Sequence, residues 1–494
     1  MLFKRLLLLL LALFLVLAGI LAVNTLRKGS LQLQIAPTSR LPIDEKRLAE
    51  KLGGAVRLRT VAAYDDADAG AGEFLKLHAY LEQQFPRVHA SLQREVVGTY
   101  SLLYTWPGSD AGAKPVMLMA HQDVVSVAPG TEANWQVPPF SGEVKSGHVW
   151  GRGAWDNKSN LISQLEAVEM LLAAGFQPRP TVYLAFGHDE EVTGLRGALQ
   201  IVKLLQARKV RLDFVLDEGL LVTDGIVPGL SRPAALVGIA EKGFMSLTLK
   251  ASATPGHPSL PPPKGTSAIS MMSTALKRLD DDQLPAGVRG VAKEMFETLA
   301  PEMAGLQRVV FSNLWLFAPL VLAQLEKASG TNAFIRTTTA LTTVQAGDRG
   351  NIVPGEASAT VNFHILPGDS RDGVMAHVKA RTGERFEAKA RPGSDEASPI
   401  SPTTSTGYRQ IHRTLRSVFP EAIVAPGLMV ARSDSRHFIP IAEHIYRFSP
   451  IRAKPDELDR FHGTNERISV SNLVEMVNFY HRLLENLNAP GAEG

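Results

Sequence analysis

The chain contains no cysteine, which removes disulfides, thiolate metal ligands and a cysteine nucleophile together and leaves the redox compartment open. Any metal must therefore be held by His, Asp and Glu. The sequence also lacks a G-x-S-x-G elbow and an H-E-x-x-H helix, so it offers neither that serine-hydrolase turn nor that mononuclear zinc site. Charge of one sign is scarce: 52 Lys and Arg against 49 Asp and Glu give a formal net charge of +3. That balance provides no clustered basic face for a nucleic-acid partner. No internal repeat is present, and low complexity is confined to residues 6–11 and a proline cluster around residue 261.

What is there begins with a long hydrophobic run. Lys4 and Arg5 precede unbroken apolar sequence over residues 6–23, after which Asn24, Arg27 and Lys28 restore polarity. As a helix the run is roughly 27 Å long, close to the hydrocarbon thickness of a bilayer. It reads as an uncleaved single-pass anchor that leaves the rest of the chain outside the cytoplasm, with Lys4 and Arg5 inside. The alternative is a signal cleaved near Ala18, Gly19 and Ala22, giving a secreted or periplasmic product. The 494 residues, 45% of them hydrophobic, then suffice for several cores. The organisation expected is an anchor (1–28), a polar linker (29–42), a catalytic domain in two parts (43–243 and 385–494), and an α+β domain inserted between them (244–384).

Periodicity predicts helices over 43–58, 74–85, 160–174 and 195–207, and strands over 97–105, 116–119, 148–150, 181–187 and 214–216. Alternation of this kind specifies an α/β fold with a mostly parallel central sheet and helices on both faces. His121, Asp156, Glu191 and Asp217 each fall just past, or a short loop beyond, a strand, so adjacent strands would gather them along the carboxyl edge where such sheets bind ligands. Beyond residue 243 the pattern changes to a strand over 244–251, a proline-rich loop over 254–264, a helical stretch to about 329, and antiparallel strands over 333–344 and 357–366. Helices follow over 406–418 and 471–484, the second with a serine suited to cap its first turn. The apolar run over 309–325, with Phe311, Leu314, Trp315, Leu316 and Phe317, reads as core of the insertion, with lipid contact or a dimer face as alternatives.

The chemistry centres on residues 181–194, TVYLAFGHDEEVTG, where a buried strand ends in Asp189, Glu190 and Glu191. Carboxylates crowded at the end of an apolar strand require a compensating cation or proton. Two divalent ions about 3.5 Å apart need a bridging carboxylate and further N or O ligands on each side. His121, Asp156, Glu191, Asp217 and His462 supply that set, a borderline donor mix that suits zinc and tolerates cobalt or manganese. Asp123 is placed to orient the His121 imidazole. Glu190 is left free to take a proton from water and pass it to a leaving nitrogen. His188, His437 and His444 read as structural, and Asp213 and Glu218 as surface or supporting residues.

The segments MAHQDVV at 119–125, GRGAWDNK at 151–158, GHDEEVTG at 187–194 and FHG at 461–463 resemble the M20 family of metallopeptidases and aminoacylases, in particular its carboxypeptidase S and N-acyl-amino-acid synthase/hydrolase branch. The resemblance implies that His121 and Asp217 hold one metal, Glu191 and His462 the other, and that Asp156 bridges them. It assigns the general acid/base to Glu190 and a supporting acid to Asp123, and implies a cis peptide after Asp156. It likens the insertion to a lid or dimerisation domain in which His257 reaches toward the scissile carbonyl and Asn351 marks a family turn. Arg436, and Arg349 beside that turn, become candidates to pair a substrate carboxylate. Two positions depart from the pattern: Asn157 stands where many members carry aspartate, and a proline follows His257. The function implied is a two-metal hydrolase that cleaves an amide next to a free carboxylate. It is either a carboxypeptidase-type enzyme on dipeptides and small peptides or an amidohydrolase/synthase of fatty-acyl amino acids, with homodimerisation through the insertion possible. An inactive membrane-tethered binding protein would show gaps in the ligand set, and there are none.

Overall fold

Strands Val116–His121 and Val182–Gly187 have every side chain buried. Successive residues serve opposite faces: Leu118, Ala120, Leu184 and Phe186 enter one core, and Met117, Met119, Tyr183 and Ala185 enter another. A strand covered on both sides must be apolar throughout, which is why neither shows alternation in sequence. Helices Glu45–Val56, Lys158–Ala173, Thr406–Val418 and Val470–Asn486 cover the first face, and Ala198–Ala207 the second. Ser469, just ahead of the residue where the helix was expected to begin, caps Val470–Asn486 by accepting the Asn472 N–H at 3.1 Å. The computed structural model describes residues 2–488; Met1 and residues 489–494, the end of the 385–494 span, lie outside the described residues.

The two strands belong to an eight-stranded sheet ordered Gln93–Val97, Ser101–Trp106, Val182–Gly187, Val116–His121, Leu212–Thr223, Ala442–Ala453, Ala234–Glu241, Ile423–Met429. Its middle is parallel, but the 93–106 hairpin makes one side antiparallel, and Ala442–Ala453 meets Ala234–Glu241 antiparallel. The sheet is therefore mixed, where the sequence suggested a mostly parallel one. A turn with Gly98 at φ +65° also splits the single strand expected over 97–105.

Two local departures move site residues. His148–Trp150 is a strand, but it pairs with Glu143–Lys145 and Arg467–Ser469 in a separate three-stranded sheet. Asp156 thus arrives on a glycine-rich loop and not from the edge of the central sheet. Leu212–Thr223 runs on past Asp217, and its ladder to Ala442–Ala453 slips after Arg447. Gly219, at φ +153° and packed against Arg447 with no space for a Cβ, marks that irregularity.

A four-stranded sheet, Thr338–Ala346, Glu356–Ile365, Gly243–Ser252, Phe386–Ala390, has its own core of Leu247, Leu249, Val361 and Phe363 beneath helices Ala268–Asp281 and Arg371–Thr382. Its first strand starts later than expected because residues 329–335 close a helix. The helices between do not join this core: Met295, Phe296 and Leu299 pack on Ala234, Leu236, Ile423 and Ala425 of the eight-stranded sheet. The run expected as core over 309–325 lies largely at the surface, with Trp315 60% and Leu320 69% exposed.

Helix Leu2–Arg27 is long and apolar enough to cross a membrane. The stretch after it, expected as a linker, is bound along the body. The Gln32 side-chain amide donates to Val424 O at 2.9 Å and accepts from Val424 N at 2.7 Å, satisfying the open edge of Ile423–Met429. Thr38 N donates to Ser417 O at 2.9 Å, and Leu41 N to Asn478 Oδ1 at 2.9 Å.

Candidate metal centre

His121 is the last residue of its strand, and its Nε2 lies 3.1 Å from Asp156 Oδ1 and 3.4 Å from Glu218 Oε1. The other Asp156 oxygen, Oδ2, lies 2.7 Å from His462 Nε2, which is also 3.2 Å from Glu191 Oε1. Two three-residue groups result, His121–Asp156–Glu218 and Asp156–Glu191–His462, each with its donor atoms within 4.8 Å of one another. Asp156 is common to both and turns one oxygen to each. The donor set fits a pair of cations: no hydrogen-bond donor satisfies the buried Glu191 Oε1, and two imidazoles with three carboxylates suit hard-to-borderline divalent ions. Against burial, which opposes its charge, the Asp156 and Glu191 carboxylates raise His462 to about 10, the response of a proton standing where a cation belongs.

The expected set named Asp217, and the carboxylate that the structure brings to His121 is Glu218. Asp217 faces away: its Oδ1 accepts the Glu218 N–H at 2.9 Å and its Oδ2 accepts the Ser435 N–H at 2.9 Å. Neighbouring strand residues point to opposite faces, so only one of the pair can meet His121, and the slipped register gives that place to Glu218. Burial pushes both carboxyls up, and Asp156 beside Glu218 pushes that one well above the usual range.

Glu466, missed in sequence, assembles the loop. Its Oε1 accepts from the N–H groups of Gly153, Trp155 and Asp156 at 2.9, 2.8 and 3.1 Å, and its Oε2 accepts from Arg152 at 2.6 Å. Arg152 also donates to His462 O at 3.0 Å. One buried carboxylate thereby fixes Asp156 and His462, which lie 306 residues apart, in a single frame. Its place four residues after His462 was the available signal. The Asp156–Asn157 peptide is cis, and the Asn157 side chain donates to Glu218.

Asp123 is fully buried and accepts the Glu190 and Glu191 N–H groups at 3.2 and 3.0 Å, so its carboxylate aims the acidic pair. His121 Nδ1 meets the Asp123 backbone carbonyl at 2.9 Å, with the Asp123 Oδ1 also 3.4 Å away, so this residue faces the imidazole as well. The Glu190 side chain lines a cavity of about 470 Å³ together with Glu191, Glu218, His462, Arg432 and Arg436. Gly194, at φ +70°, closes this stretch where a Cβ would strike the buried Asp434.

Residues 117–486 match the model of peptidase family M20/M25/M40. The chain belongs to that family. It is 40% identical over 447 residues to the N-fatty-acyl-amino acid synthase/hydrolase PM20D1 of Xenopus tropicalis, covering 90% of this chain and 86% of that protein. It is 37% identical over 477 residues to the probable carboxypeptidase S-like 2 of Dictyostelium discoideum, covering 94% and 91%. The fold matches that of an M20 family metallo-carboxypeptidase from Sulfolobus solfataricus at a TM-score of 0.64, with 17% identity over 90% of this chain and 99% of that one. M20 members are typically dinuclear metal enzymes, and this one is a hydrolase.

Three residues expected at the M20 site are elsewhere. None of His257, Arg349 and Asn351 lines the cavity. His257 sits on an exposed loop with Nδ1 accepting the Ser259 N–H at 3.2 Å, and the Arg349 side chain is 72% exposed. Their loops leave the four-stranded sheet where Ser252 pairs with Glu356. That end is roughly 30 Å along a ten-residue strand from Gly243, where the sheet joins the body. Arg436 does line the cavity, but its terminal nitrogens donate to Ser433 O at 2.7 Å and Thr193 O at 2.6 Å. Arg432, not singled out in sequence, lines the same wall, held by Asp395 at 2.5 Å and over the Phe244 ring at 5.5 Å.

Proposed function

We propose that this M20 hydrolase cleaves the amide of an N-acyl amino acid or small peptide whose amine side bears a free carboxylate, using two divalent ions, zinc by donor type, held by His121, Asp156, Glu191, Glu218 and His462. The observation that carries this is the single cavity joining Glu190 and the two ligand groups to two guanidinium groups. The ions would polarise the scissile carbonyl and acidify a water. The chain moves the proton. Burial, with Glu218, Asp434 and Glu191 nearby and against His121, pushes the Glu190 carboxyl well above the usual range, which suits a group that must hold a proton before giving it to the leaving nitrogen. Arg436 is committed to two carbonyls, so Arg432 has the freer donors for a substrate carboxylate. Tyr64, Leu221, Met429 and Phe461 add an apolar wall suited to an aliphatic acyl group, in keeping with the name of the Xenopus relative.

The test is a panel of N-acyl amino acids of increasing chain length beside matching dipeptides. The rate is expected to rise with acyl length. Arg432→Ala should lower kcat/KM about 10–100-fold for free acids and leave the corresponding carboxamides unaffected. Equal losses on both would remove the carboxylate from Arg432, and rates indifferent to chain length would favour the peptide reading.

Helix Leu2–Arg27 serves in this proposal as a membrane anchor with the catalytic body outside the cytoplasm. Edge strand Thr338–Ala346, with Leu341 and Val344 exposed, offers its open side to a second copy of the chain. The distance of His257 from its own cavity assigns any part it plays at the carbonyl to that second copy. Co-expressing Glu190→Gln and His257→Ala chains is then expected to restore activity that neither possesses alone. Absence of recovery, with dimers formed, would return His257 to the cavity of its own chain, and full activity of the His257→Ala chain by itself would place His257 outside the reaction.

A further inference from the structure

Helices Gly305–Ser312 and Leu314–Leu325 are bent by 112° at the break between them, and the sequence over 305–325 carries one charged residue, Arg308. The second helix, LWLFAPLVLAQL, buries only Val321. Leu306, Trp315, Leu316 and Leu320 all face outward, an apolar surface that a protein standing in water does not leave bare without a partner. At about 18 Å the second helix is too short to cross a bilayer.

What covers this surface is indicated by its neighbour. Asn313, fully buried at the break, accepts from Asn24 Nδ2 at 3.0 Å and from Trp315 Nε1 at 3.3 Å, and donates to Thr25 Oγ1 at 3.1 Å and Leu21 O at 3.3 Å. The bent pair is therefore locked to the last turns of helix Leu2–Arg27, at the depth where that helix leaves its apolar run. The chain beyond cannot swing, because Gln32 is clamped to the edge of the central sheet. A cavity of about 630 Å³ at the same junction is lined by Arg27, Lys28, Lys293 and Trp315, with Glu297 its one acidic group. Tryptophan and basic side chains are the groups that sit at lipid headgroup level. Broken helices survive at membrane depth where side chains satisfy the freed polar groups, the service Asn313 performs.

We propose that the bent pair is a second membrane element, lying in the lipid interface of the leaflet from which helix Leu2–Arg27 emerges, with Leu316 and Leu320 among the acyl chains and Trp315 with the basic cavity at headgroup level. This rests on Leu2–Arg27 being an anchor. It fixes the catalytic body in one orientation against the bilayer, where a single flexible anchor would leave it free to turn.

The absence of cysteine makes the test direct. Leu15→Cys, Leu320→Cys and Leu260→Cys each give the full chain one thiol for a nitroxide, read in phosphatidylcholine vesicles by collision with oxygen and with a water-soluble nickel chelate. Labels at Leu15 and Leu320 are expected to lose nickel contact and keep oxygen contact, and the label at Leu260, 81% exposed, to do the reverse. A Leu320 label as open to nickel as that at Leu260, with Leu15 immersed, overturns the proposal and leaves the anchor standing. A Leu320 label shielded from both reagents overturns it in favour of a protein contact. Nickel reaching Leu15 removes the anchor, and this seat with it. As a second measurement, brominated lipid should quench the native chain more than Trp315→Phe; equal quenching overturns the proposal.

Discussion

Glu190→Gln is expected to lower kcat by at least about 10²–10⁴-fold, the range for loss of a positioned acid/base, while the chain keeps its fold and two equivalents of metal. The separation follows from how Glu190 is held. Its backbone N–H is fixed by Asp123 at 3.2 Å, an interaction the amide variant retains. Its side chain is in neither ligand group, so metal content should not change. Stability should not fall either. The folded-state pKa of Glu190 is raised by burial. A carboxyl raised in this way disfavours the folded state once the pH exceeds its unfolded value near about 4.3. Glutamine removes that unfavourable contribution at neutral pH, so the metal-free variant should melt no lower than the metal-free parent. Metal analysis, thermal melts and single-turnover rates check the three parts separately. Near-normal turnover with both metals bound would remove Glu190 from the proton path.

The motifs pointed to the candidate site because its parts are short and local. A histidine closing an apolar strand, a glycine-rich loop around Asp156, and the acidic end of Val182–Gly187 are each visible within eight or so residues of sequence. The central parallel strands were legible for the same reason, since burial on both faces writes an unbroken apolar run. What could not be seen depended on partners distant in the chain. Nothing near His148–Trp150 reveals that it pairs with Arg467–Ser469 and not with the main sheet. Glu466 reads as an ordinary surface acid until the N–H groups of Gly153, Trp155 and Asp156 converge on it. Composition alone favoured a buried place for residues 309–325, and the packing of residues 290–299 on the central sheet left them at the surface. The roles of His257, Arg349 and Asn351 came only from family likeness, and nothing local in the sequence told how far the strand carries their loops from the cavity of their own chain.

The Asp217–Glu218 pair turns that limit into an experiment. Glu218→Ala is expected to lose one equivalent of metal and to reduce activity to background, because it removes the carboxylate 3.4 Å from His121 Nε2 and leaves that group with one imidazole and the shared Asp156. Asp217→Asn should keep both equivalents with weakened affinity or rate, by about 10–100-fold, the usual cost of disturbing a group that orients a ligand. The asymmetry has a structural cause. Both Asp217 oxygens accept backbone N–H groups, from Glu218 and from Ser435. Asparagine can serve one of them and sets an N–H₂ against the other, which tilts the Glu218 peptide and loosens the 433–438 turn without emptying the site. Glu218→Gln sharpens the comparison, since it keeps the shape and one neutral acceptor, so its metal affinity should fall between those of the parent and Glu218→Ala. Metal counts by elemental analysis, taken with kcat over a range of added zinc, separate lost affinity from lost chemistry. If Glu218→Ala retains two equivalents while Asp217→Asn drops to one, the ligand is Asp217, and the slipped register of strand Leu212–Thr223 does not decide which carboxylate faces the metals.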